Sequence, residues 1–150
     1  MKIVIQRVSE ASVVIDNKKV ASIAKGLLVL LGIEDSDTTQ DVNWLCRKIA
    51  NLRIFSDKEG VMNASINDVN GDVILVSQFT LHASTKKGNR PSYIKAAKPD
   101  VAIPLYKNFI KTLQIELKKT IQTGVFGADM KVHLVNDGPV TILIDSKDKL

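Results

Sequence analysis

Ser77, Thr80 and His82 bring a possible nucleophile and a possible base into one short stretch of the chain. A hydroxyl beside a histidine could attack an ester if a third group oriented the imidazole. Side chains alternate along a regular strand, so Gln78, Thr80 and His82 would share one face. Ser77 would then point to the opposite face. Because the sequence holds no GxSxG motif and marks no orienting carboxylate, we expect a solvent-facing His82 and no catalytic dyad.

The segment that carries these residues, DVILVSQFTLH at 72–82, begins with the apolar run Val73–Val76 and then turns polar without a glycine or proline. An unbroken apolar run is typical of a strand that is covered on both faces. Polar groups that emerge from such a strand stand on a rigid support, as binding sites require. The sequence therefore places a candidate site at the end of this strand.

Two other stretches could contribute to a site. Asn136-Asp137-Gly138-Pro139 contains the Asp-Gly pair of a tight hairpin turn, although Pro139 fits only an edge or the first residue of a strand. The segment Gly124–Met130 combines two glycines with Phe126 and Met130. It predicts either a loop that packs Phe126 inward or a shallow pocket in which a flat ring could stack.

Composition narrows the class of protein. The 150 residues, 45% hydrophobic and 25% charged, are ordinary for one globular domain spanning 1–150. The opening MKIVIQRV alternates like a strand and lacks the shape of a signal peptide, and a single cysteine, Cys46, fits a reducing cytoplasm. Two histidines and one cysteine without ligand spacing predict no structural metal. A net charge of +5 permits a polyanionic partner without requiring one.

Hydrophobic periodicity predicts the elements that must position these residues. Strands are expected at Lys2–Ile15, Val20–Ala24 and Gly26–Ile33, with an Asn70-Gly71 hairpin turn leading into the strand at 72. Two closing strands are expected at Lys131–Val135 and Val140–Asp145.

Two helices are expected. The first spans Thr38–Arg53 and starts with a Thr38/Asp41 capping box. The second begins between Asp100 and Pro104 and stops at Gly124. The predicted fold class is α+β: a mixed, mostly antiparallel, barrel-like sheet with two main helices in a single domain.

Three stretches together resemble the motifs of the D-aminoacyl-tRNA deacylases, also called D-tyrosyl-tRNA deacylases. They are the sequence SQFTL at 77–81, the segment Gly124–Met130, and NDGPVT at 136–141. The opening MKIVIQRV and the basic loop that ends in RPSY at 90–93 are also similar to that family. The likeness runs from the first strand to the last, and the paired motifs are far more specific than either alone.

The resemblance implies a cytoplasmic editing enzyme without a cofactor. It would hydrolyse the ester that joins a D-amino acid to the terminal adenosine of tRNA, act also on glycyl-tRNA, and reject L-aminoacyl-tRNA. Members are homodimers in which a cis Gly-Pro motif enters the partner's active site. The 2′-hydroxyl of the RNA assists the attacking water, and neither DNA nor a membrane is an expected partner.

The resemblance also assigns roles to residues of this chain. The catalytic segment would comprise Ser77, Gln78, Phe79 and Thr80. Chiral selectivity would rest on Gly138 and Pro139, with Arg7 holding their loop through its carbonyls. Adenosine would bind to Phe126, Gly127, Ala128 and Met130. Apart from the resemblance, Lys86, Lys87 and Arg90 lie just past the site strand, so we expect this basic loop to hold tRNA phosphates; the alternative is an ordinary solvated loop.

Two other readings remain open at this stage. A non-catalytic RNA-binding module would bind tRNA regardless of the amino acid attached. A small esterase that uses Thr80 or Ser77 would cleave simple esters without RNA.

Overall fold

A long first strand, β1 (Lys2–Ile15), organises the sheet, because it pairs with three other strands. The computed structural model describes all residues, 1–150. The other strands are β2 (Lys18–Ile23), β3 (Gly26–Gly32), β4 (Phe55–Ser56), β5 (Met62–Ala64), β6 (Asp72–Ser77), β7 (Gln122–Thr123) and β8 (Lys131–Asp145). The main sheet has the order β2-β1-β3-β6-β7, with β8 on β1, and β4 pairs only with β5. The β3–β6 and β6–β7 pairs are parallel and the remaining pairs are antiparallel, which confirms the predicted mixed sheet.

Two helices cover one face of this sheet. Helix α1 (Thr39–Asn51) begins with the predicted capping box. The side chain of Thr38 accepts a hydrogen bond from a backbone N–H of the first turn, and the side chain of Asp41 accepts one from the N–H of Thr38. Helix α2 (Pro99–Leu117) starts a residue earlier than expected. It also ends well before Gly124, because Lys118 adopts the left-handed conformation (φ +56°) that terminates a helix.

Alternation along the central strands divides the core between the two faces of the sheet. In β3, Leu27, Val29 and Leu31 pack under the helices, whereas Leu28 joins a smaller cluster on the other face. Cys46 lies in the larger cluster and donates to the carbonyl oxygen of Phe109 at 3.6 Å. Burial raises the pKa of the Cys46 thiol, so this residue is part of the core and not a nucleophile.

Two turn predictions are wrong. The segment 131–145 is not a hairpin but the continuous strand β8, which runs antiparallel along almost the whole of β1. Asn70-Gly71 does form a turn, with φ +51° at Asn70. The strand that follows, however, pairs in parallel with β3 and β7, so this turn closes no hairpin.

Neither helix is long and apolar enough to cross a membrane.

Asp41 provides a test of how α1 is anchored. Burial alone would raise the pKa of its carboxyl, but hydrogen bonds from Ser146, the Thr38 N–H and Lys147 outweigh burial and lower that pKa to about 2. A depressed pKa stabilises the fold above the unfolded value of 3.8, and this stability is lost as the pH falls from about 4 to about 2. We expect Asp41→Asn to lower the free energy of unfolding at pH 7 by about 1–2 kcal/mol.

Urea unfolding at several pH values checks this prediction. The free energy of unfolding of the Asp41→Asn variant should also depend less on pH at acid pH than that of the parent; this acid limb of the pH profile should be flatter. Asp35→Asn, an exposed loop substitution, serves as control. An acid limb that is unchanged in Asp41→Asn would contradict the assignment.

Candidate functional site

The site strand ends earlier than its sequence suggests. β6 stops at Ser77, and the N–H of Gln78 donates to the carbonyl oxygen of Leu31 at 2.8 Å. The chain then turns into one 3-10 helix, Phe79–His82. The prediction that Gln78, Thr80 and His82 share one strand face is therefore wrong, because they no longer belong to a strand.

No catalytic dyad forms between Thr80 and His82. The hydroxyl of Thr80 accepts a 2.6 Å hydrogen bond from the side-chain amide of Gln78. His82 is 3% exposed, which corrects the expected solvent-facing position, and its Nδ1 lies 3.7 Å from Oε2 of Glu34. The 3-10 helix folds His82 back beneath β3, where a strand would have carried it into solvent. His133 is exposed on β8.

The segment Gly124–Met130 lies beside this strand end. Its position is fixed by a hydrogen bond from the N–H of Gly124 to the carbonyl oxygen of Leu75 at 3.1 Å. A turn closed by the N–H of Ala128 and the carbonyl oxygen of Val125 then exposes Gly127. Met130 folds back over Gly124, so closely that a Cβ there would lie 2.4 Å from the Met130 sulfur.

The two segments form one cleft of about 260 Å³. Its walls come from β3, β6, the start of α2 and the loop after β7, and its lining residues are Leu31, Ile33, Val76, Ser77, Gln78, Phe79, Ala97, Ala102, Phe126, Gly127, Ala128, Asp129, Met130 and Val132. The lining is mostly apolar and contains no histidine, cysteine or lysine. Its one ionisable group, the Asp129 carboxylate, is 3.2 Å from Nζ of Lys131. Thr80 lies just beyond the lining.

Phe126 supplies the flat wall of the cleft. Its half-buried ring packs against Tyr106 of α2, with the centroids 5.6 Å apart and the planes tilted by 56°. Burial raises the pKa of the Tyr106 hydroxyl, so Tyr106 remains un-ionised and acts as a support. One side of the cleft is therefore a fixed aromatic surface of the kind on which a purine could stack.

Gly138 and Pro139 lie elsewhere, on a protrusion of β8. The pairing register passes from Gln6–Thr141 to Val8–Asn136, so residues 137–140 bulge outward opposite the single residue Arg7. Asn136 closes the base of the protrusion by accepting from the N–H of Val140 at 2.8 Å. Both Gly138 and Pro139 are exposed, and the peptide bond between them is cis. Neither residue lines the cleft of its own chain.

Arg7 holds this protrusion through hydrogen bonds to backbone carbonyls. Its Nε donates to the carbonyl oxygen of Asp137 at 2.8 Å, and its Nη1 donates to that of Ile54 at 2.6 Å. Gly138 has φ +142°, and a Cβ at this position would lie 2.9 Å from Nη2 of Arg7. A side chain at Gly138 would therefore disturb both the backbone and the guanidinium that fixes it.

The basic loop is exposed from Thr85 to Ser92 and closed at its base by paired backbone hydrogen bonds between Ser84 and Ser92, at 2.8 and 2.9 Å. None of its cations, Lys86, Lys87 and Arg90, forms a salt bridge, so all are free to meet an anionic partner.

Nowhere in the chain do three histidine, cysteine or acidic side chains come together as a metal site would require.

Sequence reasoning missed several walls of the cleft. Ile33 and Ala97 enter it together because the N–H of Ala97 donates to the carbonyl oxygen of Ile33 at 2.9 Å, a pairing between distant segments. Asp129 lies inside the Gly124–Met130 segment but was not singled out. The apolar residues carry no local signal that separates them from ordinary core, whereas Asp129 stands out as the acidic residue of that segment.

The chain matches known proteins over almost its whole length. Residues 4–145 fit the family model described as D-Tyr-tRNA(Tyr) deacylase. The chain is 69% identical to the D-aminoacyl-tRNA deacylase of Flavobacterium psychrophilum and 66% identical to that of Flavobacterium johnsoniae, each over 99% of both chains. These matches confirm the prediction of a hydrolase that acts on an aminoacyl ester. The chain belongs to the D-Tyr-tRNA(Tyr) deacylase family.

Two solved structures share the fold of this chain. One described as "c-Myc DNA Unwinding Element Binding Protein" superposes with a TM-score of 0.92 at 40% identity, over 97% of this chain and 98% of that one. Another, described as "Structural Analysis of a probable eukaryotic D-amino acid tRNA deacylase", has a TM-score of 0.82 at 17% identity, over 95% and 97%. The second likeness establishes the fold alone.

The contact between Gly124 and Met130 predicts how the cleft can be reshaped. In Gly124→Ala the new methyl group should displace the flexible Met130 side chain and leave the backbone in place. We expect Tm to fall by only about 4 °C or less, the effect of about 1 kcal/mol in a domain of this size. A crystal structure of the variant, with calorimetry, checks this, and a shifted 124–130 backbone with Met130 unmoved would contradict it.

Proposed function

We propose that this protein hydrolyses the ester of D-aminoacyl-tRNA and releases free D-amino acid and tRNA. The observation that carries the proposal is the cleft itself, which unites Ser77–Phe79 with Phe126–Met130 but contains no nucleophile–base pair. Such a cleft suits a substrate that brings part of its own chemistry. Glycyl-tRNA, whose amino acid has no side chain to exclude, is proposed as a second substrate.

The terminal adenosine of tRNA occupies the side of the cleft formed by Phe126, Gly127, Ala128 and Met130. The supported ring of Phe126 offers a stacking face, worth about 1–3 kcal/mol for one base. Gly127 and Ala128, which line the cleft together with Phe126, are small and leave space for the ribose. The ester would then lie next to Ser77, Gln78 and Phe79.

Water is the nucleophile in this proposal. The 2′-hydroxyl of the terminal ribose, adjacent to the ester oxygen, orients the water and relays its proton. As the new C–O bond forms, the hydroxyl accepts a proton from the water; as the bond from the carbonyl carbon to the ribose 3′-oxygen breaks, the hydroxyl passes its own proton to that oxygen. Backbone N–H groups of Phe79 and Thr80, which have no acceptor within their own 3-10 helix, are available to the developing oxyanion.

Chiral selection requires a second copy of the chain. Shape differences in an apolar pocket separate ligands by only about 1–3 kcal/mol, too little for reliable rejection of an enantiomer. Rigid backbone placed against the α-carbon would leave an L side chain no space. Gly138 and Pro139 form such a rigid, exposed protrusion, but it lies outside the cleft of its own chain. In a homodimer, the protrusion of one subunit would enter the cleft of the other.

The shape of β8 supports this arrangement. β8 pairs with β1 along one edge, and its other edge is free. Val135 and Leu143 are exposed along it, at 48% and 66%. A long unpaired edge with exposed apolar side chains is a typical surface for association of two chains.

The most direct test offers the protein the D-aminoacyl, L-aminoacyl and glycyl forms of one tRNA and follows loss of the ester. We expect rapid hydrolysis of the D and glycyl forms and survival of the L form. Binding of all three without hydrolysis would favour an RNA-binding module. Hydrolysis of simple esters at a comparable rate would favour a small esterase.

Catalysis without a protein nucleophile makes a further prediction. Thr80→Ala and Ser77→Ala should retain measurable deacylation, because neither hydroxyl attacks the ester. A substrate ending in 2′-deoxyadenosine should react more slowly by about a hundredfold or more, the scale of general-base assistance. Mass spectrometry of quenched reactions supplies the opposing result: an acyl group trapped on Thr80 would establish a covalent route.

The basic loop is proposed to hold tRNA phosphates. Replacing Lys86, Lys87 and Arg90 together by glutamine should raise KM and lower the salt slope of log KM by about 2, since each phosphate contact on a single strand contributes about 0.7. Discrimination between D and L forms should not change. The matched control replaces three exposed lysines of α2 and its cap, Lys107, Lys111 and Lys118. Equal salt slopes in the two triple variants would exclude a role for the loop.

A further inference from the structure

An exposed aromatic pair stands at the rim of the cleft. The rings of Phe79 and Tyr93 meet nearly edge-to-face, with centroids 5.0 Å apart and planes at 75°. Both are unusually open for aromatic residues: Phe79 is 56% exposed and Tyr93 is 40% exposed. Ile94, which follows Tyr93 in sequence, is 86% exposed. Such a patch on a small domain indicates a contact surface and not packing.

This aromatic pair connects two regions to which RNA has already been assigned. Phe79 lines the cleft, whereas Tyr93 does not. Tyr93 directly follows Ser92, whose paired hydrogen bonds with Ser84 close the basic loop. The pair therefore lies between the pocket proposed for the terminal adenosine and the unpaired cations proposed for the phosphates.

The chemistry of the surface fits single-stranded RNA. Proteins that hold single strands combine aromatic faces for the bases with cations for the backbone. Here Tyr93 supplies the face, and Lys86, Lys87 and Arg90 supply charges that no carboxylate neutralises. A nucleotide that leaves the cleft in the direction of the loop would pass over Tyr93.

We propose that Tyr93, supported by Phe79, is a stacking residue for the base of the nucleotide directly 5′ to the terminal adenosine. This inference rests on the proposed function, because it assumes that adenosine occupies the cleft. It adds a subsite that distinguishes RNA substrates by their length and not by their base sequence, since every base has a face that can stack. The enzyme would then distinguish the end of an RNA strand from a free aminoacyl-adenosine.

The test compares esters of increasing length in kinetics: D-phenylalanyl-adenosine, the same ester on the dinucleotide cytidylyl-adenosine, and D-phenylalanyl-tRNA. For the parent protein, kcat/KM should rise by about tenfold when the cytidine is added, the effect of one stacked base. Tyr93→Ala should lose that rise through KM, with kcat and the rate on the adenosine ester unchanged. Tyr93→Phe keeps the ring and should behave as the parent does.

Three results would overturn the inference. They are an equal loss of kcat/KM in Tyr93→Ala on all three esters, no loss of kcat/KM on any of them, or dissociation of the Tyr93→Ala variant on gel filtration. The last would mean that Tyr93 contacts a second copy of the chain instead of RNA.

A binding experiment separates this inference from the proposed function. Uncharged RNA ending in CCA is compared with the same RNA carrying an abasic site before the terminal adenosine. The abasic change should weaken binding to the parent by about tenfold and have no effect on Tyr93→Ala. If the parent cleaves no D-aminoacyl ester but still shows this pattern, only the proposed function fails. If it cleaves all three esters and the pattern is absent, only the stacking site fails.

Discussion

The hydrogen bond from the N–H of Gln78 to the carbonyl oxygen of Leu31 fixes the point at which the site strand stops and the site begins. Just beyond Leu31, the next residue of β3 is Gly32, and a Cβ there would lie 2.9 Å from Cβ of Leu81 and 3.1 Å from the carbonyl oxygen of Gln78. The missing side chain lets the 3-10 helix fold directly onto the end of β3. As a result, Ser77, Gln78 and Phe79 turn into the cleft, and His82 is buried beneath the turn.

A second constraint acts at the opposite side of the sheet. Because β1 is long enough to pair along almost the whole of β8, the chain cannot turn back at Gly138-Pro139, and the extra residues must bulge outward. Arg7, the β1 residue opposite the bulge, donates to a carbonyl oxygen within it and to another in the segment before β4. Hydrogen bonds from a charged group are worth about 1.5–3 kcal/mol each, so the protrusion is held firmly although it is exposed. An exposed but rigid loop is what a neighbouring active site could use as a fixed wall.

The sequence predictions are correct where short-range interactions determine an element and wrong where long-range interactions determine it. The bounds of β1 and the capping box of α1 depend on alternation and on residues three apart, and both predictions are correct. The predicted hairpin at Asp137-Gly138 does not form, because long-range pairing with β1 outweighs the local turn preference. His82 was misplaced for a similar reason: no glycine or proline within the segment marks the 3-10 turn, and the space for it is left by Gly32 on a distant strand.

The candidate site was predictable through its motifs and not through its walls. Phe126, Met130 and Ser77–Phe79, all singled out in the sequence, line one cleft. Residues such as Ile33 and Ala97 join them only through pairing of distant segments, which leaves no pattern in sequence. The proposed relation between the cleft and Gly138-Pro139 involves a second chain, so the sequence pattern of one chain does not determine it.

Mixing two complementary variants measures this relation most directly. One subunit carries Phe79→Ala and Phe126→Ala, which remove the cleft's rings, and the other carries Gly138→Ala, which displaces Arg7 and the protrusion. The first homodimer should be inactive, and the second should cleave L-aminoacyl-tRNA as well as D-aminoacyl-tRNA. A shared site predicts that the heterodimer regains one intact site, so that D-aminoacyl-tRNA is cleaved and L-aminoacyl-tRNA is rejected as in the parent. A purified heterodimer that cleaves both forms, as the Gly138→Ala homodimer does, would contradict the account.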